Sequence, residues 1–198
     1  AFSLTSSTLY KTTNAGTNWT FVKSLPESNT YTLMHCFSPT QILLSGKNGK
    51  ILKSTDAGSH FTQITKGNRL NLNSIERIDY QTYITYGDSG TILKTIDAGR
   101  SWVAKNRPTS ISIYDMSFVD ENNGWLCGGF SKIMKTIDGG NTWFSQNSNI
   151  NTGLMTIKFL SPSIGMIGTD NGLLLYTSDG GINWDERIID PYINRITD

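Results

Sequence analysis

Short runs of apolar and β-branched residues alternate along the chain with brief polar interruptions, and no stretch sustains a 3.6-residue apolar period. This pattern predicts strands throughout and excludes a helical solenoid. One interruption returns with fixed spacing. The nine-residue phrase Lys94-Thr-Ile-Asp-Ala-Gly-Arg-Ser-Trp102 has counterparts at 11–19, 53–61, 135–143 and 176–184, so its fourth residue falls at Asn14, Asp56, Asp97, Asp138 and Asp179, spacings of 42, 41, 41 and 41. A fixed period in this range marks an array of supersecondary units that cannot bury their faces singly.

The phrase predicts a tight hairpin turn. β-prone runs precede it at 8–10, 50–53, 91–94, 132–135 and 173–176, and others follow it at 19–22, 61–64 and from 102. Within the turn, a short carboxylate can fold back onto backbone N–H groups of its own loop, and the glycine two residues later tolerates a positive φ. The closing aromatic, Trp19, Phe61, Trp102, Trp143 or Trp184, adds a large apolar body to the sheet. Two earlier strands are legible in each unit, the first at 33–37, 74–78, 114–118 and 155–159, the second at 41–45, 82–86, 124–127 and 165–168. Four short strands per unit of about 40 residues is the arithmetic of a propeller blade.

The expected fold is therefore all-β: a β-propeller of five four-stranded antiparallel blades in one domain spanning 1–198. Residues 1–5 occupy the place of a second strand, and 192–198 overlay the first strands of other blades, so pairing of the two ends would close the ring. The blades then fall at 192–198 plus 1–25, 30–66, 72–106, 112–147 and 153–189. The alternative is part of a larger ring.

Charged residues make up 17% of the 198, with a net charge of +1, which argues against nucleic acid or an anionic membrane as partner. No apolar run approaches the ~18 residues of a spanning helix. A first residue Ala1 in place of Met suits a processed protein or an excised domain, and a secreted, cell-surface or periplasmic location is expected. Cys36 and Cys127 lie in non-neighbouring repeats and are expected as unpaired, buried small hydrophobes. His35 and His60 occupy unlike repeat positions, so no histidine metal site is expected, and no cofactor.

The phrase resembles the Asp-box, or BNR, repeat (Ser/Thr-x-Asp-x-Gly-x-Thr-Trp) of sialidase-like β-propellers. Gly124-Trp-Leu-Cys-Gly128 followed by Ile133-Met-Lys-Thr-Ile-Asp-Gly-Gly-Asn-Thr-Trp143 is most similar to the non-enzymatic photosystem II stability/assembly factor type. The resemblance covers the whole chain, with Asn14 and Phe61 as departures from the Asp and Trp of the pattern. Active sialidase-like propellers would require an arginine cluster, a Tyr–Glu nucleophile pair, an acid–base Asp and an Arg-Ile-Pro element ahead of the first box. None is legible, and Arg107-Pro108 lies elsewhere. Retaining glycosidases need two carboxyl groups ~5 Å apart, whereas Glu27, Glu76, Asp115, Glu121 and Glu186 scatter over different repeat positions.

The box residues Asn14, Asp56, Asp97, Asp138 and Asp179 are expected as structural turn clamps, since each turn offers one carboxylate-type group while a Ca²⁺ cage takes ~6–8 oxygens. Ligand contacts are expected on the opposite face. There the loops between second and third strands, and between successive blades, present Lys47, Lys50, Arg69, Arg107, Phe130 and Lys132. A second candidate lies on the inner strands. Aligned positions there read Cys36, Arg77, Ser117, Lys158 and Arg195, so Arg77, Lys158 and Arg195 make a possible anion site in the central channel, unless Glu76, Asp79, Asp115 or Asp198 pair with them. The expected function is a monomeric, non-catalytic module that binds a protein, peptide or glycan. The alternative is a degenerate or partial sialidase-like glycoside hydrolase.

Overall fold

The computed structural model describes residues 1–5, 7–26, 30–65 and 70–188, which form five antiparallel sheets in chain order. The first holds β1 (Phe2–Leu4), β2 (Thr8–Lys11) and β3 (Thr20–Ser24). The second holds β4 (Tyr31–Cys36), β5 (Ile42–Gly46), β6 (Ile51–Ser54) and β7 (Thr62–Gln63). The third holds β8 (Leu72–Arg77), β9 (Tyr83–Gly87), β10 (Ile92–Thr95) and β11 (Val103–Ala104). The fourth holds β12 (Ile113–Phe118), β13 (Gly124–Gly128), β14 (Ile133–Thr136) and β15 (Phe144–Gln146). The fifth holds β16 (Leu154–Phe159), β17 (Gly165–Thr169), β18 (Leu173–Thr177) and β19 (Asp185–Ile188).

Residues 1–5 do supply a second strand, β1, paired with β2. The fourth strand expected for that sheet, and with it the ring closure, falls on 192–198, outside the described residues. The inner strands β4, β8, β12 and β16 each carry a bulge, at Thr32, Asn73, Tyr114 and Met155, and begin one or two residues earlier than the sequence pattern suggests. A bulge breaks the two-residue alternation, so the segment ahead of it does not read as strand.

The core is divided among the joints between sheets. Leu9, Ile42 and Leu44 pack the first sheet on the second, Leu43, Leu72 and Leu93 the second on the third, Ile84, Ile113 and Leu126 the third on the fourth, and Trp125, Phe159 and Trp184 the fourth on the fifth. Strand β5 shows why its run is apolar without alternation: Ile42 and Leu44 face one neighbouring sheet and Leu43 the other. The Trp125 ring stacks on Phe159 at 3.6 Å and 6° and donates its indole N–H to the Gly180 carbonyl.

Cys127 is buried as expected, but Cys36 is exposed. Cys36 ends β4 beside a groove lined by Ala1, Phe2, Lys11 and Pro39. Burial still pushes its thiol up from the ordinary range, against the charge of the N-terminal amine.

Candidate functional site

Two kinds of turn lie at opposite ends of the sheets. The Asp-box turn bonds back to the hairpin joining the first two strands of its own sheet, through Ala57 N–H to Thr40 O, Ala98 to Gln81, Gly139 to Asn122 and Gly180 to Ser163. The turns between second and third strands bond instead to segments leading into inner strands, through Lys47 N–H to Thr30 O, Asp88 to Asn71 and Asp170 to Gly153. The box face and the loop face are thus separate surfaces.

At each box the centre is a buried hydroxyl two residues before the carboxylate: Thr12, Ser54, Thr95, Thr136 or Thr177. In the fourth sheet, Thr136 Oγ1 accepts from Gly140 N–H at 2.9 Å and from Asp138 N–H at 3.3 Å, and donates to Asp138 Oδ1 at 2.8 Å. The same Oδ1 accepts from the Asn141 and Thr142 N–H groups, and Oδ2 accepts from the Thr142 hydroxyl at 2.6 Å. In the other carboxylate boxes the partner of Oδ2 is His60, Ser101 or Asn183. Asn14 keeps the Thr12 and Asn18 bonds through its single carbonyl oxygen. Hydrogen bonds from His60 lower the Asp56 carboxyl to about 2, and those from Asn183 do the same for Asp179. Burial pushes Asp97 up, but bonds from Ser101, Thr95 and Arg100 outweigh it and leave that group at about 2; the balance at Asp138 has the same sign. The closing aromatic grades from Trp184, 8% exposed, to Trp19, 43% exposed on the first sheet.

In the second and third copies the first residue of the phrase crosses to the next blade: Lys53 Nζ donates to Ala98 O at 2.5 Å and Lys94 Nζ to Gly139 O at 2.6 Å. Lys135 lies over the Trp125 ring at 4.8 Å and Lys11 over Phe2, each within its own sheet.

On the inner strands, side chains of one sheet cap N–H groups of the next. Glu76 accepts from Phe118, Ser117 from Phe159, and Asp115 from Ile157. Glu76 and Asp115 are close enough for their charges to interact. Burial pushes the Glu76 carboxyl up, and Asp115 adds to that against the Phe118 N–H and the Lys158 charge. Asp115 is fully occupied: Oδ1 accepts from the Tyr86 hydroxyl and Met116 N–H, Oδ2 from the Thr156 hydroxyl and Ile157 N–H, all within 3.0 Å. That arrangement latches three strands.

Of the channel candidates, Arg77 is exposed and donates Nε to Asp79 O in its own hairpin, and its charge acts on His35 and Tyr83. Lys158 is exposed and acts on Glu76. Arg195 lies outside the described residues, as does Arg69. On the loop face, Lys47, Arg107 and Phe130 are exposed, Lys50 is partly buried, and Lys132 Nζ donates to Ser145 Oγ at 3.2 Å. No group of three or more His, Cys, Asp or Glu suited to a metal ion occurs among the described residues.

Residues 101–193 match the family described as photosynthesis system II assembly factor YCF48. Among solved structures, YCF48 bound to D1 peptide superposes with a TM-score of 0.76 at 17% identity, over 94% of this chain and 63% of that one. YCF48 from Cyanidioschyzon merolae gives 0.73 at 16% identity, over 96% and 65%. The fold is a BNR-type propeller resembling that assembly factor. The GH74 xyloglucanase from Xanthomonas campestris shares the propeller fold as well, with a TM-score of 0.71 at 14% identity over 92% of this chain and 34% of the enzyme. Comparison with curated proteins gives no match. The chain spans less than two thirds of the length of either YCF48 chain.

Within this BNR propeller, three features escaped the sequence reading although each had a signal. The hydroxyl centre appears as Ser or Thr at the second phrase position in all five copies, and the straps Lys53 and Lys94 belong to a lysine that recurs at the first position in four. The bulged residues Thr32, Asn73, Tyr114 and Met155 stand 41 apart.

Proposed function

We propose that the chain is a non-catalytic binding module that recognises a protein or peptide across its loop face. The observation that carries this reading is the contrast between the two faces. The box side chains spend their polar atoms inside their own turns, whereas the loop-face turns are held to neighbouring segments and leave Lys47, Arg107 and Phe130 in solvent. A shallow surface of this kind suits an extended partner better than a small molecule. YCF48 with its bound D1 peptide supports the reading by analogy of fold.

The experiment is titration of the protein with a D1 peptide and a panel of unrelated peptides, comparing wild type with Lys47→Glu plus Arg107→Glu. Affinity should fall in the charge-reversed variant, and raised salt should weaken the wild type. Retention of binding in that variant with loss in Arg77→Ala plus Lys158→Ala would move the site into the channel. Binding of an acidic glycan in place of peptides would change the partner class, and turnover of xyloglucan would overturn the non-catalytic reading.

A further inference from the structure

The turn joining β13 to β14 departs from its counterparts. The backbone there takes two successive left-handed residues, as it does at Asn48 (φ 59) with Gly49 (φ 66), and at Ser89 (φ 52) with Gly90 (φ 69). Those turns use a small polar residue followed by glycine. Here the pair is Phe130 (φ 54) and Ser131 (φ 54), so an aromatic and a second residue with a Cβ occupy the left-handed region. Each such residue costs of order 1 kcal/mol. Packing does not offset it, because Phe130 is 85% exposed, the most exposed large apolar residue among those described.

The base of the turn is rigid. Ser131 donates both its N–H and its hydroxyl to Thr152 O, at 3.1 and 3.0 Å, and its Oγ accepts from Thr152 N–H at 2.9 Å. Serine in place of glycine therefore pins the turn to the next blade while Phe130 stands out from it. A Cβ on Gly129 would meet Tyr114 Oη at 3.3 Å and Ile111 Cγ2 at 3.4 Å, so these two side chains flank the turn. Tyr114 sits at the bulge of β12 and is 39% exposed. Two carboxylates lie nearby and keep their charge: Asp88 accepts from Asn71 N–H and the Ser112 hydroxyl, and one oxygen of Asp170 from the Thr152 hydroxyl and Gly153 N–H. Lys132 next to the turn, with Lys47, Lys50 and Arg107 elsewhere on this face, outnumber these two carboxylates.

We propose that Phe130, flanked by Tyr114 and Ile111, is the apolar anchor of a docking site for an extended peptide segment that carries an apolar side chain between carboxylates. The inference rests on the loop-face reading and sharpens it. A rigidly presented aromatic loses little freedom on binding, and the excess of cations over carboxylates on the loop face, with Lys132 beside the ring, favours acidic flanks.

The probe is an array of synthetic peptides of about ten residues, a length able to cross one blade in extended form. One class carries Leu or Phe between glutamates, a second replaces the apolar residue by Ser, and a third replaces the glutamates by Lys. The first class should bind about tenfold more tightly than either other, and Phe130→Ala should weaken it by about tenfold or more. The variant Phe130→Asn restores the residue type found at Asn48 and keeps the Ser131 bonds to Thr152; it should melt at an equal or higher temperature and still lose the first class. Undiminished binding by this variant, or equal binding of the Ser-centred peptides, overturns the anchor and leaves the loop face standing. A lower melting temperature in this variant assigns the ring to folding and overturns the proposal too. If no peptide of any class binds, the loop-face reading falls together with the anchor.

Discussion

Box turns and loop-face turns both place two successive residues at positive φ: Ala98 and Gly99 in one, Ser89 and Gly90 in the other. They are stabilised in different ways. The box side chains are self-contained, with a buried hydroxyl and a carboxylate answering the N–H groups of the same loop, while the box backbone also bonds to the neighbouring hairpin through Ala98 N–H to Gln81 O. The loop-face turn is held from outside, with Asp88 N–H bonded to Asn71 O and Gly90 lying against Thr109. A self-contained turn needs the same side chains in every copy, and so repeats almost verbatim. A turn held by its neighbours can change its exposed side chains without losing its shape, which makes it the place where specificity can be written.

The strongest test of this contrast uses the glycines. A Cβ at Gly90 would lie 1.9 Å from the Thr109 carbonyl oxygen, whereas one at Gly99 would meet side-chain atoms, the tip of Leu43 nearest at 3.2 Å. Both sit at similar positive φ. Gly90→Ala should therefore cost about 3 kcal/mol or more by urea denaturation, and Gly99→Ala clearly less. Equal losses would mean that strain at φ, not the neighbouring backbone, governs both turns.

Next in size is removal of a box centre. Thr136→Val strips the acceptor from Gly140 N–H and Asp138 N–H in a fully buried site, and should cost about 1–3 kcal/mol in thermal denaturation with peptide binding unchanged where the variant is folded. Loss of binding without loss of stability would transfer the ligand site to the box face. The blade-to-blade strap should matter somewhat less: Lys94→Met removes a charged donor from Gly139 O in a partly exposed position, for about 1 kcal/mol.

The smallest effect per site is electrostatic. Asp56, Asp97 and Asp179 titrate at about 2 in the folded chain, below their ordinary value of 3.8. A depressed carboxyl stabilises the fold at pH above its unfolded value, and that contribution disappears as pH falls from about 4 through about 2. Circular dichroism melts across this window should show falling Tm, and Asp97→Asn should flatten part of the slope. A Tm independent of pH between 4 and 2 would remove the carboxylates from the stabilising role assigned to the box.

Much of the fold was legible because its signals are local. The second strand at the N-terminus was found at β1, and the box carboxylates fold back on their own turns as the Asp-to-Gly spacing suggested. The inner strands were located but begun late, since a bulge at Tyr114 or Met155 hides the first pair from an alternation test. The candidate site was only partly legible. The exposure of Lys47, Arg107 and Phe130 follows from polar loops, whereas the trio of channel cations was read from alignment of strands alone; of its described members, Arg77 donates to Asp79 O and the Lys158 charge acts on Glu76.

By itself, the sequence determined the repeat, the strand order and the chemistry of the box, because each is encoded within the span of one hairpin. The tertiary structure alone decided what binds blade to blade: the lysine straps to a carbonyl 45 residues away, and the Glu76, Asp115 and Ser117 caps on strands some 42 residues downstream. It also decided that Phe130 stands free while Trp125, in the adjoining strand, is buried against Phe159. Those outcomes depend on which side chains meet once two sheets pack, and no single hairpin contains that information.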